Sequence, residues 1–85
     1  MARMTVYFEK PEQIKKTADV LATFARKNFE TSIEIEKSDD RIEIEGNEKF
    51  LAKLYNFIEL SKKVLGTEEI YMSPSVIRCI NKISA

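Results

Sequence analysis

The sequence predicts an α+β fold, a two-layer sandwich in which helices cover one face of a small, mainly antiparallel sheet. Two alternating Ile-Glu runs, at residues 33–36 and 41–45, predict a β-hairpin, since strict alternation is typical of half-buried strands. Two longer segments, 11–28 and 48–65, repeat apolar residues at helical spacing. The predicted order is β-α-β-β-α-(β)-α, and we expect residues 1–85 to form one domain.

The first strand and the first helix are predicted near the start of the chain. Residues 5–9 alternate and are rich in β-branched and aromatic side chains, with Val6 and Phe8 on one face. Pro11 suits the first turn of a helix, where its missing N–H is not needed, so we predict a helix over 11–28. The apolar stripe of this helix consists of Ile14, Ala18, Leu21 and Ala25, widened by Val20, Phe24 and Phe29.

The hairpin has a polar connection at residues 37–40 between its two strands. We expect its isoleucines to face the core and its glutamates to face solvent. If Glu36 lies opposite Arg41 across the turn, then Glu34 lies opposite Glu43. The core-facing residues are Ile33, Ile35, Ile42 and Ile44.

Capping residues mark the remaining elements. Asn47 is a good N-cap for a helix over 48–65, and Gly66 is a favoured residue just beyond a helix end. Residues 67–72 form a short extended stretch that can supply a last strand, and Ser73, followed by proline, predicts the N-cap of a final short helix. The apolar residues of that helix are Val76, Ile77, Ile80 and Ile83.

The composition excludes several classes of enzyme. The chain has no histidine, so it lacks the commonest catalytic base and the commonest transition-metal ligand. Its two glycines, Gly46 and Gly66, cannot form a glycine-rich phosphate loop. The single cysteine, Cys79, lies near the edge of the last apolar stripe, and we interpret it as a buried structural thiol. We therefore expect no catalysis, no cofactor and no metal site.

The overall balance of residues indicates an ordinary globular protein. Hydrophobic residues make up 44% of the chain and charged residues 33%, and the formal net charge is zero. No apolar run approaches the ~18 residues of a membrane-spanning helix, and the first residues lead into a strand instead of a signal peptide. We expect a cytoplasmic protein with no membrane association.

Glu34, Glu36, Glu43 and Glu45 form an acidic face on the predicted sheet. Such a cluster can bind a divalent cation, or like-charge repulsion can raise the pKa of one carboxyl group. The interpretation that we favour is a solvated strand face. A third alternative is a surface for a basic protein partner, which would relieve the repulsion between the carboxylates.

The helix predicted over 48–65 has a wider apolar surface than one sheet requires. Its apolar residues span about 220° at ~100° per residue, whereas a surface helix needs a stripe only somewhat wider than ~100°. The final helix can cover all of this surplus. Otherwise the remainder, at Tyr55, Phe57 or Leu60, forms a patch for self-association or for a protein partner.

The second half of the chain carries a resemblance to a known family. Residues 41–83 contain a strand ending in Gly46-Asn47-Glu48, a long helix and a short capped helix. This segment resembles the KH-like N-terminal domain of PhoH-type ATPases. The resemblance implies an accessory role in RNA binding, while the ATPase chemistry of that family lies in a separate P-loop domain. This sequence has no such loop and no GxxG clamp.

A second resemblance concerns residues 17–36, which are similar to the first helix and second strand of the phosphocarrier of the sugar phosphotransferase system. The phosphorylated histidine of that family is missing, with Ile14 or a neighbour at the corresponding place. The resemblance implies a related topology, and a phosphocarrier-like domain without histidine would have lost phosphotransfer.

Together these observations favour a non-catalytic protein-interaction or self-associating module, which forms a homodimer or higher oligomer or binds another protein. The alternative function is that of an accessory RNA-binding, KH-like domain. We do not favour nucleic-acid binding, because the basic residues alternate with acids and the sheet face is acidic.

Overall fold

The computed structural model describes the backbone of residues 1–84 and the side chains of residues 1–82. Four strands and four α-helices follow one another along this part of the chain, with a 3₁₀ turn at Pro11–Gln13. They are β1 (Ala2–Phe8), α1 (Ile14–Lys27), β2 (Glu34–Lys37), β3 (Arg41–Gly46), α2 (Glu48–Leu60), α3 (Lys62–Leu65), β4 (Thr67–Met72) and α4 (Pro74–Ser84).

The strands form one antiparallel sheet in the order β2-β3-β1-β4, so β1 and β3 are central and β2 and β4 are the edges. The predicted α+β class is confirmed, including the last strand and the final helix. Up to β4 the chain has the split β-α-β arrangement of ferredoxin-like domains, with α4 as an addition. Within residues 1–84, none of the helices has the length and apolar character needed to cross a membrane.

The core lies between one face of the sheet and the helices. Met4 and Val6 of β1, with Ile42 and Ile44 of β3, are completely buried there. Strand β1 begins at Ala2, earlier than the predicted residue 5, because the buried alternation continues back through Met4 and Ala2. Helices α1, α2 and α4 supply the other side of the core. Val76 of α4 is buried, whereas the side chain of Ile83 lies outside the described residues.

The hairpin register differs from the predicted one by two residues. Glu36 pairs with Glu43 and not with Arg41, and Glu34 pairs with Glu45 and not with Glu43. The reason is a tighter turn, in which the backbone N–H of Ser38 donates to the carbonyl of Arg41 at 2.9 Å. Only residues 39 and 40 then connect Ser38 to Arg41, whereas the predicted connection has four residues, 37–40.

The helix predicted over 48–65 is interrupted. Its N-cap is confirmed, since the side chain of Asn47 accepts hydrogen bonds from the N–H groups of Lys49 and Phe50 at 2.8 and 3.2 Å. The helical backbone breaks at Ser61, where φ is −111° and ψ is 15°, and resumes as α3. The break directs Leu65 into the core, where its carbonyl accepts a hydrogen bond from Thr17 Oγ1 at 3.0 Å.

The end of α1 differs from the prediction, whereas the predicted start of α4 is confirmed. Phe29 does not extend the apolar stripe of α1, because the helix ends at Lys27 and Phe29 has a positive φ of 58° and is 92% exposed. Ser73 stands at the predicted N-cap position, directly before Pro74, and its carbonyl accepts a hydrogen bond from the N–H of Ile77 at 3.3 Å. Its hydroxyl accepts from the Arg3 N–H at 2.9 Å and donates to the Arg3 carbonyl at 3.3 Å, so it extends the pairing of β1 with β4.

Candidate interaction surface

The three side chains predicted as interface candidates lie in different environments. Tyr55 and Phe57 are half-buried and pack against the core, whereas Leu60 is 90% exposed. Burial raises the pKa of Tyr55, and the neighbouring carboxylate of Glu59 raises it further. Helix α4 covers part of the apolar arc of α2, where Ile58 is buried. It does not cover the part that contains Leu60.

A groove of about 410 Å³ runs along α1 and reaches Phe57 of α2. Its apolar lining includes Val20 and Phe24, and the rings of Phe24 and Phe57 stack with centroids 4.5 Å apart. Phe24 also contacts Phe50, whose ring centroid lies 5.9 Å away. The aromatic pair therefore forms a rigid wall that is partly open to solvent.

Charged side chains border this groove. Lys16 and Lys27 of α1 line it, together with Asp19. Their charged groups stay at the surface, while the apolar side chains form the interior of the groove. The groove therefore has an apolar centre and a polar rim, a distribution that is typical of protein interfaces.

Leu60 and Val64 extend the apolar surface beyond the groove. Leu60 follows Phe57 by one helical turn, so the two side chains lie on the same side of α2. Val64 of α3 is 80% exposed and lines the same shallow depression as Leu60. We call the five residues Val20, Phe24, Phe57, Leu60 and Val64 the helical apolar surface.

The sequence predicts Phe57 and Leu60 as interface candidates but not the rest of this surface. It places Val20 and Phe24 on the side of α1 that widens its core stripe, and the contact of Phe24 with Phe57 depends on how the two helices pack. In the sequence, Val64 belongs to one continuous helix over 48–65. The signal that identifies it is the pair Leu60 and Val64, four residues apart, with Lys62 and Lys63 between them.

The acidic sheet face is partly neutralised by arginines. In the observed register, Glu34 and Glu45 oppose each other on neighbouring strands, as do Glu36 and Glu43. Arg3 of β1 forms an ion pair with Glu45, which raises the pKa of the Arg3 guanidinium. Among the described side chains, no group of three or more histidine, cysteine, aspartate or glutamate residues is placed to hold a metal ion.

Two tyrosines share this open face with the glutamates. Tyr7 and Tyr71 meet edge to face, with ring centroids 5.7 Å apart. The Tyr71 hydroxyl donates to Glu69 Oε2 at 2.6 Å, and this hydrogen bond raises the pKa of Tyr71. Exposed aromatic rings on a sheet can stack on RNA bases, but the surrounding carboxylates repel the phosphate backbone. Cys79 is half-buried and packs against the core, away from this face.

No protein family model, no characterised protein and no solved structure matches this chain. The resemblances to the KH-like domain and to the phosphocarrier stay predictions. The split β-α-β arrangement hosts many unrelated functions, so this fold does not by itself identify a function.

Proposed function

We propose that this domain is a non-catalytic interaction module that self-associates through the helical apolar surface. The observation that carries the proposal is the 90% exposure of Leu60 beside a groove walled by Phe24 and Phe57. A leucine exposed to water contributes almost no burial energy to folding, whereas burial of such a side chain in an interface stabilises the complex by about 1.5–3 kcal/mol.

The shape of the surface favours a second copy of the chain as the partner. A protruding group, Leu60, lies one helical turn after Phe57, which lines the groove together with Val20 and Phe24. Two copies related by a two-fold axis can each place Leu60 in the groove of the other, because such an interface is self-complementary. The domain is also small, so its thin core gains stability from additional apolar burial.

The charges near the surface are of both signs. Lys16, Lys27 and Asp19 border the groove, and Glu59, Lys62 and Lys63 lie beside Leu60. In the two-fold dimer, Glu59 of each copy approaches the basic border of the other groove. Such rim pairs contribute little affinity but favour one orientation over others.

The test is the solution mass of the Leu60→Lys variant, measured by light scattering from micromolar to millimolar protein. We expect the wild-type mass to rise with concentration toward twice the 9.9 kDa of one chain. The substitution should weaken dimerisation by about 2 kcal/mol or more, as for a central interface residue, and leave the fold unchanged because Leu60 makes little contact within the monomer.

Phe29 provides a matched control, because it is an exposed apolar residue of similar exposure outside the helical apolar surface. Phe29→Lys should dimerise like the wild type. A wild-type chain that stays monomeric at millimolar concentration contradicts the proposal, and so does equal weakening by both variants. Retention on RNA that decreases steeply with salt would favour the accessory RNA-binding function instead.

A further inference from the structure

We draw no further inference here: the strongest candidate, the depression of about 430 Å³ that Arg3 and the four glutamates of the acidic sheet face line on the open side of the sheet, is a cluster of carboxylates, and nothing in the part of the chain that the structure describes shows what would bind to it.

Discussion

Helices α1 and α3 both end in a left-handed backbone conformation, but α1 places Phe29 there and α3 places Gly66, with φ values of 58° and 71°. At the end of α1, the N–H of Phe29 donates to the carbonyl of Arg26 and the N–H of Glu30 donates to that of Ala25. This is the Schellman pattern, in which glycine is the usual residue. At the end of α3, the N–H of Gly66 donates to the carbonyl of Lys62 at 3.0 Å.

The surroundings explain the different residues. Gly66 packs against Gln13 and leaves no room for a Cβ atom, whereas Phe29 is 92% exposed and meets only solvent on most of its surface. Close packing therefore requires glycine at the end of α3. At the end of α1, nothing packs against the residue, so phenylalanine is tolerated there. A non-glycine residue in this conformation costs about 1–2 kcal/mol, so Phe29 makes the end of α1 less stable than a glycine at this position would.

The largest effect is expected for Gly66→Ala, which should destabilise the domain by about 2 kcal/mol through backbone strain and displacement of Gln13. For a domain of this size that corresponds to a fall in Tm of about 8–16 °C. Urea denaturation of Gly66→Ala in the Gln13→Ala background should give a smaller loss, since the clash is removed there. Identical losses in the two backgrounds would show that packing against Gln13 does not matter.

The second largest expected effect is an increase in the free energy of unfolding. Phe29→Gly should stabilise the domain by about 1 kcal/mol, because the left-handed conformation no longer clashes with a Cβ atom and little packing is lost. The measurement is again the free energy of unfolding in urea. Phe29→Ala is the control, since alanine keeps the Cβ atom and should bring no comparable gain. A loss of stability in Phe29→Gly would mean that the Phe29 side chain makes a contact that stabilises the fold.

The smallest effect concerns the residue before Phe29. Asn28 Nδ2 donates to the carbonyl of Phe24 at 2.8 Å, and this carbonyl also accepts the backbone N–H of Asn28 at 3.2 Å. This hydrogen bond is exposed, so Asn28→Ala should reduce stability by only about 0.5 kcal/mol, seen as a small fall in Tm. A loss as large as that in Gly66→Ala would show that α1 depends on this side chain more than on its backbone hydrogen bonds.

The fold was predictable where local pattern alone decides it. Alternation identified the strands of the hairpin, and Asn47 marked the start of α2. The register was not predictable from alternation, because a shift of two residues keeps Ile35 and Ile44 on the core face. The length of the turn decides between the two registers, and residues 37–40 fit either length by composition.

The sites depend on contacts between distant residues. The exposure of Leu60 follows from a surplus of apolar residues on α2, which the sequence predicts without deciding whether the final helix covers it. The groove beside it requires Phe24 of α1 to stack on Phe57, and the close packing at the end of α3 requires Gln13 to meet Gly66. Neither contact has a local pattern, because each depends on the angle and distance between packed elements.

The edges of the sheet have a consequence for behaviour at high concentration. Strand β2 has only four residues and exposes Glu34 and Glu36, and β4 exposes Glu68 and Glu69 at the other edge. Unpaired edge strands are templates for the addition of strands from other molecules, and short length and charge oppose this. We therefore expect the protein to resist fibril formation even when it is crowded, so that its contacts with other copies remain finite and reversible.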